Sequence, residues 1–275
     1  MRRWFNILIY IFAGVGLFLV LGYLAVYLGL TNTPGGVDLG RHFRSEADFV
    51  SGGLAKNYVW NQGTEWVTLK GAIEKDAKVI NQAAQAANID PRLLAACLVV
   101  EQLRLFHSER EVFKQVFAPL IILGTQSQFS WGVMGMKPET AKLVEQYLKD
   151  ANSPYYLGAR YEHLLDFTTT NHDEERFERL VDEHDHYWSY LYSALYLKQL
   201  QTAWAKTGYP IENKVGVLAT LFNIGFDNSQ PKSAPQVGGA LISINGTDYT
   251  FGGLAAEFYY ANELTTDLPL LSPIN

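Results

Sequence analysis

The sequence has only one cysteine, Cys97, among its 275 residues. A single cysteine cannot form a disulfide within the chain, and it cannot build a zinc site of several thiolates. Its neighbours in residues 94–100 are all apolar, whereas a reactive thiolate needs an electropositive and partly exposed setting. Cys97 is therefore predicted to be a small, buried core residue.

Positive charge is scarce and is not clustered. The chain has 22 Lys and Arg against 28 Asp and Glu, for a net charge of −6. Nucleic-acid binding requires clustered Lys and Arg against the phosphates, so we predict no nucleic-acid partner. Aromatic residues make up 13% of the chain, and we find no fixed repeat, which excludes disordered and repeat architectures.

Charge is missing altogether between Arg3 and Asp38. Within this stretch, residues 5–30 would reach about 39 Å as a helix, enough to cross a hydrocarbon layer of ~30 Å. We predict a transmembrane anchor at residues 5–30. Because Arg2 and Arg3 favour a cytoplasmic N-terminus at residues 1–4, the rest should be periplasmic or otherwise extracytoplasmic. A cleaved signal peptide is the alternative, with a weak small-x-small site in residues 27–32.

The residues after the anchor divide into a linker and one domain. Residues 31–45, with Pro34-Gly35-Gly36, are predicted to be flexible, and residues 46–275 to form a mainly α domain with a small β-hairpin. Helical patterns cover residues 65–87, 91–106, 138–149, 173–206 (one helix or two), 211–225 and 253–264. Asp90 and Pro91 are typical of a helix start. Asn245-Gly246 predicts a hairpin turn within residues 240–251.

Glu101 is the first candidate for chemistry. Leu94, Leu98, Glu101 and Leu105 fall at steps of four, three and four residues, so they share the apolar face of one helix. A carboxylate on such a face loses hydration, which favours its protonated form and makes it a plausible proton donor. The alternative is a helix glutamate paired with an arginine such as Arg104.

Two later segments contain residues suited to contact a ligand. Residues 130–141 read SWGVMGMKPETA, in which Gly132 and Gly135 allow close approach of the backbone and Pro138 marks a helix start. Residues 219–225 read ATLFNIG, in which Asn223 is a polar residue near a helix end and Gly225 is the predicted cap. Taken singly, neither segment is specific for a function.

In this order, the three segments resemble the SLT-type lytic transglycosylases of the lysozyme-like superfamily. That family has a Glu at the end of an apolar helix, then S-x-G-x-M-Q-x-x-P-x-T-A, and later A-Y-N-A-G on a helix. The matching residues here are Glu101, Ser130, Gly132, Met134, Pro138, Thr140, Ala141, Asn223 and Gly225. The resemblance covers about residues 65–226 and implies a lysozyme-like helical domain.

The resemblance also implies a reaction, with peptidoglycan glycan strands as partner and no cofactor or metal. Glu101 would protonate the departing oxygen of the MurNAc-GlcNAc β-1,4 bond. Its carboxylate would then take the proton from the 6-hydroxyl as that attacks C1, which leaves a 1,6-anhydroMurNAc end. Ser130 would orient Glu101, while Asn223 and the backbone near Met134 would hold N-acetyl groups. The implied substrate-binding residues are Ser130, Gly132, Met134, Phe222 and Asn223.

Two differences from the family leave other functions open. Gly135 stands where the family has Gln, and Phe222 replaces its Tyr. A catalytically inactive relative could bind glycan strands or serve as a scaffold in a cell-envelope assembly, and a sensor or secretion-system component could share the fold. A hydrolase would need a second carboxylate to activate water, for which Glu109, Glu111 and Asp166 are candidates.

The sequence around His184-Asp185-His186 looks like a metal site. On a helix, however, residues two apart point about 200° from each other, so two such histidines cannot share an ion. We predict that residues 182–186 form a solvated, acidic helix face. Residues 172–175 are predicted to place favourable negative charge at a helix N-terminus.

Overall fold

The computed structural model describes residues 12, 14–17, 19–21, 44–51, 58–107 and 131–270. This part of the chain is mainly helical with a two-stranded antiparallel sheet, which confirms the predicted mainly α class. In chain order the elements are α1 (Glu46–Ser51), α2 (Thr64–Ala87), α3 (Pro91–Phe106), α4 (Pro138–Lys149), α5 (His172–Val181), α6 (Tyr187–Lys206), α7 (Val215–Ile224), β1 (Leu241–Ile244), β2 (Thr247–Thr250) and α8 (Phe251–Tyr260).

The junction between α2 and α3 follows the predicted local chemistry. Helix α2 ends at Asn88, which adopts the left-handed conformation at φ 53°, a conformation that Asn tolerates better than most residues. The Asp90 carboxylate then accepts a hydrogen bond of 2.8 Å from the Arg92 N–H, and Pro91 occupies the first helical position. The predicted cap and the predicted extent of α3 are both confirmed.

The predicted helical stretch at residues 173–206 is two helices, α5 and α6. Residues 182–186 connect them without being helical, so the prediction of an acidic helix face there was wrong. Asp182 accepts hydrogen bonds from the backbone N–H groups of His184 and Asp185, and this local turn ends α5. At the start of α5, the side chain of Asn171 is the cap and three acidic residues occupy the first turn.

The hairpin lies where the Asn-Gly pair predicts it. Strands β1 and β2 pair from Leu241 with Thr250 to Ile244 with Thr247, and Asn245 and Gly246 both have positive φ, at 49° and 81°. This is the geometry of a two-residue turn that matches the twist of the strands.

Three helix boundaries, two of them in α8, were predicted wrongly. Helix α8 begins at residue 251 rather than 253 because the Thr250 hydroxyl caps it, accepting from the Gly253 N–H at 3.1 Å, and it ends at residue 260 rather than 264. Helix α7 begins at residue 215, four residues later than predicted.

Helix α6 runs through the core. It packs against α2, α4, α5 and α7, while α8 packs against α7 and α3. Leu191, Leu195 and Leu200 of the predicted stripe are buried, whereas Tyr187 and Trp188 are partly exposed. Cys97 is buried as predicted, and burial raises the pKa of its thiol.

Arg92 joins α3 to the C-terminal part of the domain. Its side chain is fully buried, and its guanidinium donates to the backbone carbonyls of Phe258, Tyr259, Ala261, Glu263 and Leu268 at 2.6–3.1 Å. The Phe258 ring lies 5.0 Å from the guanidinium carbon. A buried charge is tolerated when its donors are satisfied in this way.

Most of the predicted membrane anchor lies outside the described residues. Its residues 12, 14–17 and 19–21 are helical and exposed. Within the described part of the chain, no helix is both long enough and apolar enough to cross a membrane.

Helix α1 is attached to α7. The backbone of Arg44, which was assigned to the linker, pairs with Val237 through two hydrogen bonds of 3.0 and 3.2 Å. The Glu46 carboxylate accepts from the backbone N–H groups of Gly216 and Val217 at 3.0 and 3.1 Å. A carboxylate is favourable at this helix N-terminus, although burial raises the pKa of Glu46 above its ordinary value.

Candidate functional site

Glu101 lies near the end of α3, on the buried face predicted from its spacing. Its side chain follows an unbroken run of buried residues in that helix, and the residue is 4% exposed. Leu94 and Leu98 on the same face are also buried. The sequence analysis therefore placed this carboxylate correctly among apolar neighbours.

The carboxylate is paired with Arg104. The guanidinium of Arg104 donates a hydrogen bond to Oε2 of Glu101 from one helical turn later, and the Arg104 side chain is 18% exposed. The ion pair named as the alternative for Glu101 is thus present. An opposite charge in contact favours the ionised form of a carboxyl group, whereas burial favours its protonated form, so Arg104 and burial act on Glu101 in opposite directions.

Residues 131–136 form a tight turn beside the end of α3. Trp131 and Met136 pair through two backbone hydrogen bonds, of 2.7 and 3.0 Å, across the turn. Gln102 fastens the turn to α3, since its amide nitrogen donates to the carbonyl of Val133 at 2.5 Å. Gln102 was not predicted as a site residue, although its position next to Glu101 would have indicated that it lies at the site.

Gly135 brings this turn against Glu101. A Cβ atom at residue 135 would lie 2.9 Å from Oε2 of Glu101, and the backbone there has φ 59°. Both features require glycine. The Gln of the resembled family therefore has no room here while Glu101 keeps this position, and the first two motifs meet at one contact.

The other predicted residues of this turn have structural reasons for their identity. A Cβ atom on Gly132 would overlap the carbonyl oxygen of Leu180, so the glycine allows the turn to pack against the end of α5. The Met134 side chain is fully buried, which leaves only its backbone for the predicted role. Ser130, Glu109 and Glu111 lie outside the described residues.

The third motif ends α7, which packs against α3 and α6. Phe222 is 8% exposed, and its ring centroid lies 5.3 Å from that of Tyr196 and 6.2 Å from that of Phe251. The phenyl ring is thus part of the aromatic core at the end of this helix, and it leaves little surface for the predicted contact with sugar.

Asn223 is half-buried and held in a fixed orientation. Its Oδ1 accepts a hydrogen bond of 2.8 Å from the backbone N–H of Ala240, just before the hairpin. No other described residue is hydrogen-bonded to this side chain, so the two amide donors remain for a ligand. Sequence reasoning predicted Asn223 but left the role of the hairpin open; its first residues position this amide.

Asp166, the second-carboxylate candidate within the described residues, belongs to a surface cluster. Its carboxylate lies 2.6 Å from Nζ of Lys149 and 2.7 Å from Nδ1 of His163. Hydrogen bonds from Lys149 and His163 hold the pKa of Asp166 below its usual range. A carboxylate stabilised as an anion by these two hydrogen-bond partners is a weak base for activating water.

His184 and His186 do not lie together around a common site. Nδ1 of His186 lies 2.5 Å from Oδ2 of Asp76, which also accepts from the Tyr190 hydroxyl at 2.6 Å. These contacts fasten α2 to α6. Among the described residues there is no group of three or more His, Cys, Asp or Glu side chains that could hold a metal ion.

A cavity of about 220 Å³ opens beside α7, on another side from Phe222. One wall is α7 and Trp204, and the other is formed by residues between 228 and 239. Gly239 connects it to the candidate site, because a Cβ atom there would lie 3.0 Å from Oδ1 of Asn223. No pattern in the sequence predicted this cavity.

Comparison of the chain with protein-family models, with curated proteins and with solved structures finds no match.

Proposed function

We propose that this chain is a membrane-anchored peptidoglycan lytic transglycosylase, with Glu101 as its general acid and base and residues 5–30 as its anchor. The observation that carries the proposal is the contact between Glu101 and Gly135. The motifs that contain Glu101 and Gly135 both resemble those of this family and lie about 30 residues apart in the sequence. They meet at Glu101, the buried carboxylate that the resemblance requires.

The proposed reaction needs Glu101 in two protonation states. The protonated acid gives its proton to the glycosidic oxygen as the bond to C1 breaks. The carboxylate then accepts the proton of the 6-hydroxyl while that oxygen bonds to C1, so the acid is regenerated and no water is consumed. Asn223 supports the proposal because its free amide donors suit an N-acetyl carbonyl oxygen.

Arg104 affects the protonation state of Glu101 before substrate binds. The pair stabilises the carboxylate, so at a given pH less of the protonated form is present than without Arg104. We therefore expect an enzyme that is most active at mildly acidic pH. Because Arg104 is on the exposed side of the pair, a sugar entering beside Glu101 could displace it without unfolding α3.

A second candidate is a catalytically inactive glycan-binding or scaffold protein of the cell envelope. The observation that favours it is the same ion pair, together with the missing Gln at residue 135. The two candidates differ in whether Glu101 ever donates a proton.

The test is digestion of purified sacculi by the full chain in detergent, with Glu101→Gln as the matched variant. Mass spectrometry should find muropeptides with anhydro ends released by the native chain and not by the variant. Products with free reducing ends would indicate a hydrolase instead. If both proteins sediment with sacculi and neither releases product, the enzyme proposal is wrong and the inactive binder is favoured.

A further inference from the structure

We infer that the cavity beside α7 binds a short peptide that ends in a free carboxylate. The inference rests on the proposed function in one respect, since it assigns this peptide to the peptidoglycan strand held at Asn223. The size of the cavity, its walls, its charge and its position all favour this occupant.

The size and walls favour a small, partly apolar occupant. A volume of about 220 Å³ is below the range of ~300–1,000 Å³ that accommodates a drug-sized ligand. It suits two small residues rather than a large side chain. One helical face of α7 lines it, through Val217, Thr220, Leu221 and Ile224, and the Trp204 side chain is buried against it.

The opening is polar and carries one cation. Its exposed lining residues are Asn228, Gln230, Lys232 and Gln236. Amide side chains offer donors and acceptors for a peptide backbone. The Asn228 amide nitrogen is already used, since it donates to the carbonyl of Ile224 at 2.8 Å. The Gln230 and Gln236 side chains have no hydrogen-bond partner among the described residues.

Lys232 determines the charge that the cavity prefers. No carboxylate is among the lining residues, and no described residue forms an ion pair with Lys232. An unpaired ammonium at the rim of an otherwise neutral cavity, in a chain with a net charge of −6, favours an anionic group of the ligand. A peptide C-terminus provides that anion together with amides for the rim and small side chains for the walls.

The position relates the cavity to the candidate site. Ile224 and Gly239 line it, and they are adjacent to Asn223 in sequence and in space, respectively. A glycan held by the Asn223 amide would therefore bring its attached peptide to this opening. Wall peptides contain D-residues, whereas the C-terminus of an ordinary protein does not, so stereochemistry identifies the source.

The experiment is calorimetric titration of the full chain in detergent with acetyl-D-alanyl-D-alanine. The amide of the same peptide and the L,L isomer are the two comparison ligands. We expect binding of the D,D acid, with about 1.4- to 5-fold weaker binding for Lys232→Met, which is the fold-change that corresponds to the ~0.2–1 kcal/mol of an exposed charge pair. Lys137→Met, which removes another exposed lysine, is the matched control and should bind like the native chain.

A second variant, Gln230→Trp, covers the opening without touching a buried residue and should abolish binding. Equal affinity for the acid and its amide, preference for the L,L isomer, or no binding by the native chain would overturn the inference. Because the titration needs no bond cleavage, it can be repeated with Glu101→Gln. Peptide binding by the native chain, together with no sugar cleavage by the native chain, would support the inference and contradict the proposed function.

Discussion

The guanidinium of Arg104 and the carboxylate of Glu101 form an ion pair within a single turn of α3, at the edge of the buried face. The pair makes protonation of Glu101 harder, because the neutral acid would lose the attraction of the adjacent cation. In the proposed reaction, activity falls at alkaline pH because Glu101 loses the proton that it has to donate. In that reaction, Arg104 would therefore lower the pH above which activity falls.

Replacing Arg104 with Met tests this relationship. We expect the alkaline limb of the pH profile for anhydro-product release to move upward, because the acid would no longer lie beside a cation that favours its ionised form. Arg104→Lys keeps the positive charge and should leave the limb close to its native position. Identical profiles for the native chain and Arg104→Met would show that the pair does not control the acid.

Gly135→Ala tests the close contact between the turn and Glu101. The new Cβ atom would be strained by the φ of 59° and would approach Oε2 to 2.9 Å. We expect a loss of stability of about 2–3 kcal/mol, of which the left-handed backbone accounts for ~1–2 kcal/mol, and a large loss of activity. Thermal unfolding by circular dichroism and sacculus digestion measure the two effects.

Gly208→Ala is the matched control for that variant. Gly208 also has positive φ, at 83°, but no atom lies within 4 Å of the position that its Cβ would take. It should show the backbone cost of ~1–2 kcal/mol alone and keep full activity. If Gly135→Ala and Gly208→Ala lose the same stability and keep the same activity, the contact with Glu101 is not required for function.

Arg92→Met tests whether the buried guanidinium holds the C-terminal part of the domain. The variant removes the guanidinium donor of five backbone carbonyls, of which that of Phe258 keeps a hydrogen bond from the Ala261 N–H at 3.1 Å. Each buried group left unsatisfied costs ~1–3 kcal/mol before relaxation. We expect a loss of at least about 4 kcal/mol in the free energy of urea unfolding. Arg92→Lys should recover only part of it, since an ammonium has fewer donors. A loss below ~1 kcal/mol for the Met variant would contradict this role.

Glu175 makes the stability of α5 depend on pH. Burial raises the pKa of its carboxyl, but hydrogen bonds from Thr168 and Thr169 more than offset this and lower the pKa to about 2. The unfolded chain binds the proton nearer pH 4.5. The stabilising contribution is therefore complete above pH 4.5 and is lost as the pH falls toward 2.

The corresponding measurement is the melting temperature between pH 6 and pH 2.5. Glu175→Gln should melt at a lower temperature than the native chain at pH 6, and the difference should shrink as the pH falls. Glu178→Gln, an exposed position on the same helix, should reproduce the native pH dependence. A difference that stays constant over this range would mean that the Glu175 proton is not linked to folding.

Local chemistry made much of the fold predictable from the sequence. Asp90 with Pro91 and Asn245 with Gly246 determine their own backbone conformations, so the start of α3 and the hairpin turn followed directly. The apolar spacing around Glu101 predicted its burial because side chains three and four apart on a helix share one face. These features depend on residues within one or two turns of each other.

Other features were not predicted because they depend on groups that are distant in sequence. The first turn of α7 is fixed by the Glu46 carboxylate, 170 residues earlier, which no local pattern records. The reasons for Gly132 and Gly135 are contacts with Leu180 and Glu101, whereas the sequence indicated only that the backbone could come close to something. The cavity beside α7 depends on the path of residues 228–239, and no local sequence pattern predicts it.

The attachment of α1 has a mechanical consequence. Only thirteen residues, 31–43, separate the predicted anchor from the Arg44 pairing with Val237, and fully extended they span at most about 45 Å. Tension in this tether would pass through Glu46 into the first turn of α7, the helix whose last turn contains Asn223. In the proposed anchored form, this tether would limit the height of the domain above the bilayer, and it would apply its load to a helix that also forms part of the candidate site.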